Sequence, residues 1–354
     1  MLTRLLTCCA AALLCACGDD ARDAVPDAVP EDAAPASEVL AVPDAAPTEA
    51  RRPAAAVSDA LGAFEGGVAG LAMWEHPVMS FASTVLAANG AAGLAVIPVD
   101  REVEGRVVEG SFDGPVAVGY AEAASFAAAS SGGEVMLFAL DGDRATPIGS
   151  VTADADALCM IGDTLLVVGM EATGYAIGRD GTAEAVFTQP GGAGALCAAT
   201  DERFFVAVPD APLRSFDAGG GAPLVDDDYA GARLDALAAV ATPEGAALVT
   251  LSGGRFSVDG PGLAPARVDL IRDGAPVTGM TAMTAGSGNY GSIYRDGVVA
   301  VVADGELLLL PWAGVARAAG LEGTQTESLR PAEAATPEPE IRIDLPEIET
   351  TLSP

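Results

Sequence analysis

Asp226-Asp227-Asp228 is the longest unbroken run of carboxylates in the chain, and carboxylate oxygens are what calcium takes, about six to eight ligands at a time. The spacing does not fit an EF-hand loop, so other segments must complete any such site. Asp201, Asp210 and Asp235 are the candidates, provided the fold brings them to the run. A solvated turn is the expected reading of the triplet, and these six aspartates are the candidate calcium set. His76 is the only histidine. A lone imidazole needs partners for acid–base work, and no neighbouring Ser or Cys completes a hydrolytic triad, so a structural histidine is expected. Cys159 and Cys197 each close an Ala-Leu-Cys triplet. Export would permit a bridge between them. Two buried free thiols are expected instead, because equivalent strands of adjacent units can lie beyond the roughly 7 Å that a bridge spans. The chain has no glycine-rich phosphate loop and no CxxC or HExxH pattern.

The elements that must position these residues recur along the chain. An apolar β-rich run, a turn containing Gly or Asp, and a second β-rich run begin near Val85, Ala124, Thr164, Phe204, Ala247 and Val298, at steps of 39, 40, 40, 43 and 51. A period near 40 with several strands per unit is the signature of a propeller blade. One such unit cannot bury both sheet faces alone, so units stack and close into a ring. The repeats predict an all-β, six-bladed β-propeller over residues 58–321, with a central channel. The first and last segments should close one blade together, placing Met73 and Val301 in the same or adjoining sheets.

The formal net charge is −32, and every basic residue is arginine. A body this acidic repels nucleic acid, whose binding needs basic patches. Residues 1–16 read as a signal peptide, with Arg4 ahead of an apolar run too short to span a bilayer. Leu14-Cys15-Ala16-Cys17 resembles the lipobox of bacterial lipoproteins, which implies lipidation of Cys17 and stable anchoring by several acyl chains. Gly18 after that cysteine implies an outer-membrane lipoprotein, its body in the periplasm or at the cell surface. Residues 17–57 are acidic and rich in Ala and Pro, and are expected to be a disordered tether. Residues 322–354 are expected to be a similar tail, whose alternating Ile341, Ile343 and Leu345 could add a strand to a partner sheet.

Three segments resemble the β-propeller phytases. They are Ala72-Met73-Trp74-Glu75-His76-Pro77 with Asn89 to Val96; Gly194 to Asp210; and Asp296 to Ala316, which includes Asp304-Gly305 and Pro311-Trp312. They occur in family order. The resemblance implies a ring that binds several calcium ions at its channel, where calcium neutralises phytate and water attacks phosphorus.

The residues that would carry that chemistry are largely replaced. Ala69-Gly70-Leu71 stands where the family has Asp-Asp-Pro, and Gly90-Ala91 where it has a lysine pair. Pro115-Val116-Ala117-Val118 replaces a polar channel strand. Cys197 to Asp201 keeps one acid, Val208-Pro209-Asp210 keeps one, and Leu237 stands in place of a glutamate. Exchanging carboxylates for Ala, Val or Leu removes both charge and ligands. The expectation is a phytase-like propeller lipoprotein of impaired catalysis, acting as a binding or scaffold module. It would hold an unknown protein or small molecule on its face, and the membrane through Cys17. The alternative is a working calcium-dependent phytase that rebuilds its ligands from the six aspartates. A third reading is a generic propeller with a partner-binding face and no phosphate history.

Overall fold

The computed structural model describes residues 53–331, except 65–66, 101–103, 122–123, 142–143, 227–228, 230–232, 262 and 322. Cys17 and most of the expected tether and tail lie outside the described residues.

Five four-stranded antiparallel meanders follow one another at 70–108, 116–152, 157–190, 196–226 and 236–267. A sixth joins Met280–Gly286, Val298–Ala303 and Glu306–Pro311 to the early strand Asp59–Ala63. The two ends of the body therefore close one sheet, as expected from the sequence. The sheets that hold Met73 and Val301 adjoin.

The expectation of six blades is corrected by a further sheet. Ala54–Ala56 pairs in parallel with Asp269–Arg272, which pairs with Ala275–Pro276, so among the described residues the propeller is built of seven sheets. The seventh hairpin lies within the longest repeat step, between Ala247 and Val298. Its strands of four and two residues are too short to register as a copy of the repeat. Its third strand comes from residues that the sequence assigns to the tether. The Arg272 guanidinium donates to both Glu306 carboxylate oxygens, at 2.5 and 3.1 Å, tying this sheet to the last meander.

Burial explains the strand pattern. Strands with neighbours on both faces, such as Ala236–Thr242 and Val298–Ala303, are buried at every position and are almost wholly apolar. Outer strands such as Ala183–Pro190 face water and lose that pattern. Six apolar layers separate the consecutive meanders around the ring. The layer between the fifth and the last meander also takes in Ala55, Val268 and Leu270 at the seventh sheet, together with Trp312, Val315 and Ala316 of the helix Trp312–Ala319. The Asp304-Gly305 turn has φ of 50° and 80°, the left-handed pair that a two-residue hairpin needs.

Candidate functional site: the channel and its strap

The innermost strands of the six meanders are Gly70–Trp74, Val116–Ala121, Ala157–Ile161, Leu196–Ala199, Ala236–Thr242 and Met280–Gly286. They surround a cavity of about 100 Å³ lined by Leu71, Met73, Val116, Val118, Leu158, Met160, Ala198, Leu237 and Met283, among others. Small and aliphatic side chains dominate because the strands converge here. Among the described residues, no carboxylate belongs to this lining.

Cys159 and Cys197 face each other across two adjacent innermost strands and form a disulfide, with a Cα–Cα distance of 5.8 Å. The expectation of free thiols is corrected. Near the axis, equivalent strands of neighbouring sheets lie close enough to bridge.

A polar cluster closes the end of the channel where these strands finish. Glu75 follows Gly70–Trp74 and is buried. Its Oε1 accepts from the Asn289 backbone amide at 3.0 Å, and its Oε2 accepts from the Ser328 hydroxyl at 2.5 Å. Burial pushes this carboxyl above the ordinary carboxylate value, against the opposing effect of those hydrogen bonds and of nearby Arg330. The Glu75 amide donates to Tyr120 Oη at 2.7 Å, and Tyr290 shares a hydrogen bond with the Tyr120 hydroxyl. Burial holds both phenols protonated, with the Glu75 charge adding to the effect. Gly288, at φ 96°, lets the backbone pass so close that a β-carbon there would lie 2.8 Å from Glu75 Cδ.

His76 sits beside this cluster. Its Nδ1 accepts from the Val78 and Met79 amides at 3.1 and 3.0 Å, and its ring meets Trp74 edge-on at 5.3 Å. Burial and the Arg330 charge lower its pKa, so near neutrality it serves as a neutral acceptor that shapes the turn. That is the structural role expected for it.

The cover over this end comes from 323–331, residues that the sequence assigns to the tail. The Thr326 hydroxyl accepts from the Gly288 amide at 2.9 Å, and the Glu327 amide donates to Ala241 O at 2.9 Å. Ser328 reaches Glu75. Leu329 enters the channel lining and packs against the layer that contains Trp74 and Tyr120. The Arg330 Nη1 donates to Pro77 O at 2.7 Å. This strap thus crosses from the fifth meander over the last to the first.

The sequence-derived calcium candidates are dispersed. Asp201 lies in the exposed turn after Leu196–Ala199, whereas Asp210 lies in the turn at the other end of Arg203–Ala207. Asp226 ends Leu224–Asp226, opposite Leu213, near Asp210's end of the sheet. Asp235 opens the fifth meander and accepts from the Gly253 amide at 2.6 Å. Asp227 and Asp228 lie outside the described residues. Among the described residues, no group of three or more His, Cys, Asp or Glu side chains is placed to hold a metal ion. Sequence reasoning named Glu75 only as part of a matched segment and missed Tyr120, Tyr290 and Ser328. A buried acid directly after an innermost strand was the available signal.

No family model and no curated protein matches this chain. Among solved structures, the chain is similar to BBS1N in complex with ARL6DN, soaked with mercury (TM-score 0.43, 13% identity, 68% of this chain and 76% of that one). It is also similar to Chaetomium thermophilum Raptor (TM-score 0.48, 11% identity, 73% of this chain and 29% of that one). The β-propeller fold itself is read from the ring of sheets.

Proposed function

We propose that this protein is a membrane-anchored, phytase-like β-propeller that acts as a binding module, with partner recognition at the strapped end of the channel. The observation that carries this reading is the absence of carboxylates from the channel lining among the described residues. At Val116, Ala117, Cys197, Ala198 and Leu237 the lining offers no carboxylate oxygen to a cation, while the formal charge of the chain is −32. Without cations to neutralise it, a polyphosphorylated substrate is repelled, and a hydrolase here lacks its main source of transition-state stabilisation. The same end of the molecule exposes Val78, Met79, Phe81 and Ile293. Phe81 and Ile293 share the wall of a cavity of about 330 Å³ with Tyr290 and Tyr294. Clustered apolar exposure of this kind marks a binding surface.

Anchoring rests on the lipobox-like Cys17 and implies an outer-membrane lipoprotein whose body is held off the membrane by the tether. Among the described residues, no helix is long and apolar enough to cross a membrane.

The test is phosphate release from calcium phytate by the full chain, with excess calcium and then with chelator. The expected result is no release above blank from protein shown to be folded. Calcium-dependent turnover would overturn the reading and direct mutagenesis to Asp201, Asp210, Asp226, Asp227, Asp228 and Asp235.

A further inference from the structure

We infer that the strap is an internal stand-in for the partner, and that the channel end receives in its place an extended peptide. That peptide would carry a hydroxyl residue, then a branched aliphatic, then arginine. The inference rests on the binding-module reading and names the chemistry of its ligand.

Each strap contact defines a recognition element. Glu75 is a buried acceptor of a hydrogen bond from the Ser328 hydroxyl at 2.5 Å. The channel takes the Leu329 side chain. The Pro77 carbonyl takes the Arg330 guanidinium at 2.7 Å. The Ala241 carbonyl takes a backbone amide, Glu327 N, at 2.9 Å. These are the ingredients of extended-peptide recognition, with main-chain bonds for affinity and pockets for side-chain identity.

The strap is also built to leave. It pairs with no strand, Glu327 and Ser328 are exposed, Gly320 precedes it and Gly323 opens it. Backbone held by side-chain bonds at the surface opens at far lower cost than buried strands. Displacement then follows population arithmetic, the apparent affinity for a peptide in trans being reduced by the fraction of time that the strap is open.

The experiment uses the full chain and a fluorescein-labelled peptide copying Thr324 to Pro331, followed by anisotropy. Leu329→Gln weakens the strap in cis. The expected result is peptide binding at least tenfold tighter to that variant than to the unaltered chain. The binding should be lost when the peptide's own Ser and Leu, copies of Ser328 and Leu329, are changed to Ala and Gln. A folded Leu329→Gln variant that binds neither peptide, or binds both equally, overturns the inference. Should that variant not fold, hydrogen exchange on the unaltered chain decides. The Glu327 amide is expected to exchange at least 100-fold faster than those of Val85 to Ala87. Exchange at the same rate, through global unfolding alone, overturns the inference. Phytate turnover by the same samples separates the two failures, because hydrolysis counts against the binding-module reading whereas lost peptide binding without hydrolysis counts only against the strap.

Discussion

The Ser328 hydroxyl donates to Glu75 Oε2 at 2.5 Å across 253 residues of sequence, so the start and the end of the body meet over the mouth of the channel. The acceptor is a carboxylate withdrawn from water, and its protonation bears on stability.

Burial raises the Glu75 pKa above its ordinary value of 4.5. The folded state therefore binds the proton more tightly than the unfolded state. The stabilisation linked to it is full below that ordinary value and is lost as pH rises through the raised one. Glu75→Gln removes this dependence. Denaturant melts of both proteins at about pH 4 and about pH 7.5 should show the variant gaining on the parent at the higher pH. A constant difference between the two proteins would count against the assignment.

Tyr120→Phe deletes the oxygen that accepts the buried Glu75 amide at 2.7 Å. Leaving that donor without a partner should cost about 1–3 kcal/mol, measured by urea unfolding. A loss below about 0.5 kcal/mol would show that the network has another acceptor to offer.

Replacing Cys159 and Cys197 together by alanine opens a loop of 38 residues. Loop-closure arithmetic sets the loss at roughly 4 kcal/mol, within a usual range of about 2–5. The unaltered chain should lose a similar amount on reduction, while the double variant should be indifferent to reductant.

Leu309 is fully buried in the strand that pairs with Asp59–Ala63 to close the ring, whereas Leu224 is 59% exposed on an outer strand. Leu309→Ala should cost about 2–5 kcal/mol and Leu224→Ala less than about 0.5 kcal/mol. Equal effects would mean that the closing strand contributes little to the cooperative core.

Much of the ring was legible in the sequence because strands buried on both faces must be apolar without interruption. Val298–Ala303 and the Asp304-Gly305 turn announce a blade by composition alone. The meeting of the first and last segments followed from the need to close the ring. The seventh sheet was not legible. Ala54–Ala56 and Ala275–Pro276 are too short for a periodic signal, and their pairing is decided by neighbours far away in the chain.

The candidate site divides along the same line. Sequence alone determined that the channel strands carry Val116, Ala117, Cys197 and Leu237, because residue type is local information. Only the tertiary structure decided which groups meet. Convergence of the innermost strands brought Cys159 to Cys197, and strand direction sent Asp201 and Asp210 to opposite ends of one sheet. Closure of the ring carried the residues around Ser328 over Glu75. A contact between such distant residues leaves no periodic trace in the sequence, because it is set by where the ring ends and not by the repeat that builds it.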